Sequence, residues 1–381
     1  MRRRRLLFAL SADFGEYVTA RIFSRGQPFD CSFALPASLL RYAPPGSAEN
    51  VGYGGLDELV EIAANMRPDV VVLASGYLYP VNRIAQPERM RNLVERLRAT
   101  GAAVATTDPW LRITSLKRGS RFTIYSVREG GVDAALSAKM DGLQSFLEEV
   151  FCDVPHVFAV PLDGGGDQCL SFFNPLFAKH NPDAFGDRNK DSGRDAWLFV
   201  LSKEDFVFLS GFEKDAFLQG LGDRIEQLLA VERNHLRFIV PEGIVDYLRQ
   251  QWPSEARVEF IPFCDFDTFE RIICESKVVA YWNVLSSSLL YCLYYDVPPI
   301  FFGKGHQAKV CEGLFEHVVE HVYRGEAPSL LNLGEPLLPE ANALIQRLDL
   351  PRWLDSIRKQ YAQSQTPAKV IERVLLRHGK E

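Results

Sequence analysis

The amino-acid sequence predicts an α/β protein made of two doubly wound parallel sheets facing a cleft. Three observations point there. Short, continuous apolar runs are bounded by turn residues, as in strands covered on both faces. Segments with apolar residues at helical spacing separate these runs. The alternation also pauses at a polar stretch, Asn181–Arg194, and then restarts. A length of 381 residues suits two cores better than one, because domains average about 100–200 residues.

In the first half, Leu6–Leu10 reads as a strand, followed by a helix over Phe14–Arg25 that Gly26 ends. Cys31–Leu35 is a second strand, and Pro44–Gly55, rich in Pro, Gly and Ser, reads as a loop. Leu56–Met66 is an amphipathic helix. Arg67-Pro68-Asp69 then turns the chain into the apolar strand Val70–Ala74. Pro87–Thr100 carries Met90, Leu93, Val94 and Leu97 on one helical face, and Ala102–Ala105 follows as a strand. Leu143–Phe151 reads as a helix and His156–Val160 as a strand.

In the second half, strands are expected over Trp197–Leu201, Leu236–Val240, Val258–Ile261, Val278–Trp282 and Pro299–Phe302. Helices are expected between them over Phe217–Val231, Gly243–Gln251, Phe266–Cys274 and Ser287–Tyr295. Leu350–His378 is helical and interrupted by Pro367, with Trp353, Ile357, Tyr361, Val370 and Val374 as its apolar side. The expected domains are residues 1–185 and 195–345, with 346–381 returning to the first.

Composition narrows the function. The net charge is −6, which disfavours a nucleic-acid partner, since such proteins carry a basic footprint. The run Arg2–Arg5 leads into the first strand, and the apolar stretch after it is cut short by Asp13 and Glu16, so no signal peptide is expected. Val278–Tyr295 is uncharged and long enough for a membrane span, but Asn283, three serines and four tyrosines favour a strand, turn and buried helix, and no transmembrane segment is expected. Seven scattered cysteines form no CxxC pair or zinc spacing, which suits reduced thiols and a cytoplasmic protein.

The segment from Val258 to Gln307 carries the most specific signal. A strand ends in Ile261-Pro262-Phe263 before an acidic loop and short helix. Another strand leads through Asn283 and Ser286-Ser287-Ser288 into a helix. Asp296-Val297-Pro298 then precedes a strand and a loop ending in His306-Gln307. In these features the chain resembles the C-terminal half of the GT-B glycosyltransferases, whose fold pairs two Rossmann-like domains. The resemblance implies an inverting, metal-independent transferase that uses a nucleotide-diphosphate sugar as co-substrate, without a further cofactor, and an acceptor the sequence does not name. It places Phe263 against the base, Asn283 and the three serines under the diphosphate, and Lys304, His306 and Gln307 near the leaving group and sugar. Family members commonly hold the ribose with a glutamate in the helix after the serines; the corresponding position here is Tyr291. The literal DxD pattern Asp265-Phe266-Asp267 reads as the turn before the Phe269 helix.

The residues leave alternatives open. Ser286–Ser288 fit either a helix cap or a phosphate site. Lys304 and His306 fit either a solvated loop or contacts to a leaving diphosphate. The loop after the first strand, Ser11-Ala12-Asp13-Phe14-Gly15-Glu16, offers Gly15 for close approach of the donor and two carboxylates for the base that an inverting transfer needs. Asp13 is the first choice and Glu16 the second, with an N-cap as the other reading of Asp13. Ser75-Gly76-Tyr77 and Thr106-Thr107-Asp108 follow strands and lie at the same expected edge, Asp108 fitting either a turn cap or a second acid. His156 and His180 read as structural, and Gly164–Gly166 as a flexible loop. An epimerase or hydrolase of the same fold, which a pair of carboxylates would favour, is the nearest rival. A non-catalytic binding protein is the other.

Overall fold

The computed structural model describes residues 3–44, 49–117, 119–123, 125–126, 131–132, 134–162, 166–180, 196–252 and 255–379. The predicted linker Asn181–Arg194 lies outside them, as do Gly164 and Gly165. Strands follow in chain order as β1 (Arg4–Leu10), β2 (Phe29–Pro36), β3 (Asn50–Tyr53), β4 (Val70–Ala74), β5 (Ala103–Thr106), β6 (Tyr125–Ser126), β7 (Gly131–Val132), β8 (His156–Phe158) and β9 (Cys169–Ser171). They continue as β10 (Ala196–Val200), β11 (His235–Val240), β12 (Val258–Pro262), β13 (Val278–Tyr281) and β14 (Pro299–Phe301).

The chain divides into two units. The first comprises residues 1–120, 139–180 and 359–381, and the second 121–138 and 181–358. The first holds a seven-stranded sheet in the order β3-β2-β1-β4-β5-β8-β9, parallel throughout. The second holds a five-stranded parallel sheet in the order β12-β11-β10-β13-β14. Each sheet therefore runs outward in both directions from its first strand, reversing between β1 and β4 and between β10 and β13. At such reversals the loops beyond the strand ends diverge and open a crevice, where ligands of doubly wound sheets bind.

Apolar runs become central strands because both sheet faces are covered. Every residue of β4 is buried, as is β1 from Leu6 to Leu10. In the second unit Trp197, Phe199, Phe238 and Trp282 lie in the core, with Phe199 stacked on Phe238. The helix Pro367–Arg377 starts with Thr366 accepting from Lys369 N and a proline in its first turn, where the missing N–H costs nothing. It buries Val370 and Val374 within the first unit, and a parallel bridge links Phe172 and Gln365.

Three expectations need correction. Pro44–Gly55 is not all loop, because Asn50–Tyr53 forms the edge strand β3 against β2. Its Asn and Gly hide the β pattern, and the pairing itself supplies the stability. The helix expected over Phe217–Val231 runs from Lys203 to Leu229. Its glycines weaken the local signal, yet Gly220 lets Leu333 approach so closely that a Cβ would lie 3.3 Å from it. The helix expected over Leu143–Phe151 likewise begins at Ala134. Residues 121–138 cluster with the second unit, tied there by the Phe122–Cys311 bridge and by Glu312 N donating to Arg121 O at 2.9 Å. Residues 346–358 also cluster with the second unit, and 359–381 with the first.

Candidate active site

The reversal in the first sheet gathers three loops, those after β1, β4 and β5. Ser11 N donates to Ala74 O, and Thr107 N to Leu73 O, stitching the three strand ends together. Glu16, in the first turn of the helix Phe14–Ser24, points back toward the sheet and is buried. Its Oε2 accepts from Thr107 Oγ1 at 2.7 Å, and that same hydroxyl accepts from Ser75 N at 2.6 Å. Burial, with Asp13 and then Asp108 adding repulsion, lifts the Glu16 carboxyl from 4.5 to about 7 against the opposing bonds from Ser75 and Thr107. Ser75 adopts a left-handed backbone (φ 52), an uncommon state for a non-glycine residue that recurs at functional sites. Gly76 follows because a Cβ there would meet Thr106 Oγ1 and Phe151 Cζ, each at 2.7 Å.

A second carboxyl sits beyond β5. Asp108 is buried and accepts from Trp110 N at 2.9 Å and Arg112 N at 2.8 Å. Those bonds favour its charged form, yet burial outweighs them and lifts it from 3.8 to about 7. Nearby, Tyr77 Oη lies 3.0 Å from His156 Nε2, while His156 Nδ1 faces Val154 O at 2.9 Å. The carbonyl must accept, so Nδ1 carries the proton and Nε2 accepts from the tyrosine. Burial pushes this imidazole down to about 3, so it stays neutral.

The reversal in the second sheet gathers the loops after β10, β13 and β14. Asn283 caps its own turn, accepting from Leu285 N at 2.8 Å. The loop 303–306 folds onto it through Gly305 (φ 90), where a Cβ would sit 2.5 Å from Asn283 Cγ. Beside them, Asp205 Oδ1 accepts from His306 N at 3.0 Å and from His306 Nδ1 at 2.8 Å. Lys304 Nζ stands 4.2 Å over the Phe315 ring. Gln307 Oε1 is buried with no hydrogen-bond partner among the described residues.

No family model matches the sequence, and no curated protein matches it. Solved structures do. A protein of Listeria monocytogenes assigned as a UDP-N-acetylglucosamine 2-epimerase aligns over 98% of this chain and 94% of its own, at 8% identity and a TM-score of 0.52. The S. aureus MnaA, solved with UDP, aligns over 98% of this chain and 95% of its own, at 8% identity and a TM-score of 0.50. MurG of Acinetobacter baumannii covers 98% of this chain and 99% of its own, at 10% identity and a TM-score of 0.46. This chain has the GT-B fold.

Within this GT-B chain, the candidate site residues singled out from sequence lie in the loops and helix starts after β1, β4, β5, β12, β13 and β14, but several take other parts. Asp13 is an N-cap whose carboxylate accepts from Gly15 N at 2.8 Å, so the Gly15 N–H is already engaged. Glu16, the second choice, is the carboxyl that burial and Asp13 tune. Asp108 caps its turn and is also tuned toward neutrality. The serines do not cap through their side chains. The helix begins at Leu289, Ser288 makes no side-chain cap, and its hydroxyl pairs with that of Ser286 at 2.8 Å. The first turn is held by the carbonyls instead, with Leu289 N on Ser286 O and Leu290 N on Ser287 O. Tyr291 is fully buried against Phe269 and Tyr295, so its side chain faces the core. Phe263 is half-buried beyond β12, and Asp265 N-caps the following helix, accepting from Asp267 N and Thr268 N.

Two participants escaped the sequence reading. Asp205 and Ser202 lie at the start of the helix Lys203–Leu229, whose first turns carry no helical apolar pattern strong enough to mark them. The signal that could have found them is the N-cap motif Ser202-x-x-Asp205, an acidic variant of the capping box. Among the described residues, no helix is long and apolar enough to cross a membrane.

Proposed function

We propose that the protein is an inverting, metal-independent glycosyltransferase in which the second unit holds a nucleotide-diphosphate sugar and Glu16 of the first acts as base. The observation that carries this reading is the Glu16 carboxyl, tuned to about 7 at the reversal of a GT-B sheet. A base near neutral pH combines a usable ionised fraction with useful proton affinity. In the step, Glu16 takes the acceptor hydroxyl proton as that oxygen bonds to the anomeric carbon. The bond from the anomeric carbon to the donor phosphate oxygen breaks, and its electron pair leaves on the diphosphate. His306 and Lys304 answer the charge that develops there, and Gln307 Oε1 offers an acceptor for a sugar hydroxyl. With a buried tyrosine at position 291, no carboxylate stands where the family commonly holds the ribose.

A second reading has its own support. Asp108 is a further carboxyl tuned to about 7, and two of the solved relatives are an assigned UDP-N-acetylglucosamine 2-epimerase and a UDP-bound protein. An acid and a base together suit elimination or hydrolysis of the sugar nucleotide without an acceptor. The deciding experiment incubates the protein with UDP-sugars, with and without a panel of hydroxyl acceptors, and follows products by mass spectrometry. Product requiring an acceptor supports transfer, whereas free sugar or an epimer formed without one supports the second reading. No binding of any nucleoside diphosphate or sugar nucleotide at millimolar concentration, by folded protein, would sink both. For transfer, kcat/KM should fall as pH drops below about 7, and Glu16→Gln should lose roughly a hundredfold or more.

A further inference from the structure

We propose that Asp205 is a positioning residue that fixes the ring of His306, and with it the loop 303–307, in the form that receives the donor diphosphate; this rests on the donor reading above. Asp205 is itself held from behind. Ser202 Oγ accepts from Asp205 N and donates to Asp205 Oδ2, both at 2.9 Å, so the carboxylate is locked onto the helix start. Its other oxygen takes two bonds from one residue, the His306 backbone N–H and ring Nδ1. A ring bonded at Nδ1 and anchored through its own backbone has little freedom left. The Asp205 side chain is 5% exposed and that of His306 is 20% exposed.

The consequence is a defined tautomer. A carboxylate accepts, so Nδ1 carries a proton whenever the pair is intact. Nε2 remains for a ligand, and makes no bond among the described residues. A free neutral imidazole favours the proton on Nε2, so the pair holds the ring against its ordinary preference. Gly305 brings the loop against Asn283, and the backbone N–H of residue 306 donates to Asp205.

The test uses the full chain with 15N-labelled histidine and four variants: Asp205→Ala, Asp205→Asn, His306→Ala and Asp205→Ala/His306→Ala. The ring signals of His306, assigned by their loss in His306→Ala, are read in the protein without nucleotide. Wild type should show the Nδ1-protonated ring, Asp205→Asn should retain it through the amide oxygen, and Asp205→Ala should move to the Nε2-protonated form. Calorimetry with UDP should show affinity falling about ten- to hundredfold in Asp205→Ala, the range for a hydrogen bond to a charged group. The double variant should lose less than the sum of the two single losses, because the ring contribution of Asp205 passes through His306, while its bond to the residue 306 backbone N–H persists in His306→Ala. An unchanged tautomer in folded Asp205→Ala overturns the proposal, and so do losses that simply add. If wild type binds no UDP, the donor reading falls while the ring spectra still decide whether Asp205 sets the tautomer.

Discussion

Replacing Glu16 by Gln tests the physical basis of the first-unit site without any knowledge of the substrate. Gln keeps the shape and the acceptor for Thr107 Oγ1 but cannot ionise. The folded state holds the Glu16 proton more tightly than the unfolded chain, with its carboxyl lifted from 4.5 to about 7. The stability linked to that proton is fully present below 4.5 and is lost as pH rises through about 7. At about 1.4 kcal/mol per pH unit, the rise corresponds to about 3 kcal/mol. Glu16→Gln should therefore match wild type near pH 4.5 and exceed it by about 3 kcal/mol at pH 8. The measurement is urea unfolding at several pH values, with pulsed hydrogen exchange reporting on peptides from β1 and β4, so that the first unit is followed by itself. A difference between variant and wild type that stays constant from pH 4.5 to 8 would refute the reasoning, because it would place the carboxyl in water.

Three further outcomes follow from the same geometry. Asp108→Asn should cross wild type with pH: weaker by about 1 kcal/mol near pH 4, where one backbone bond to Trp110 or Arg112 is lost, and more stable by about 3 kcal/mol at pH 8, in the same unfolding assay. Gly305→Ala should destabilise the second unit by about 1–3 kcal/mol through its positive φ and the clash with Asn283, lowering the melting temperature and releasing the His306 ring from Asp205 in nitrogen NMR. Tyr291→Glu should cost several kcal/mol by burying a carboxylate against Phe269 and Tyr295, and calorimetry should find no gain in nucleotide affinity, since position 291 faces the core.

By itself the sequence determined the architecture. Val70–Ala74 and Leu56–Met66 form the predicted elements with the predicted bounds, because burial on both sheet faces and a single apolar helix stripe are written locally as runs and periods. The break the sequence places at Pro367 is likewise local, and the last helix starts there with Thr366 as its cap. The segment around Asn283 and His306 marked one sheet edge for the same reason. Only the tertiary structure decided what the site residues do. Asp13 and Glu16 are three positions apart and equally acidic in the sequence. Folding turns the first outward to cap Gly15 and buries the second against Thr107, 91 residues away. Asp205 and His306 meet across 101 residues, and Tyr291 is fully buried, packed against Phe269 of the neighbouring helix and Tyr295 of its own. A carboxyl's proton affinity and an imidazole's tautomer depend on solvent exclusion and on partners brought by other strands, and neither has a local signature in the chain.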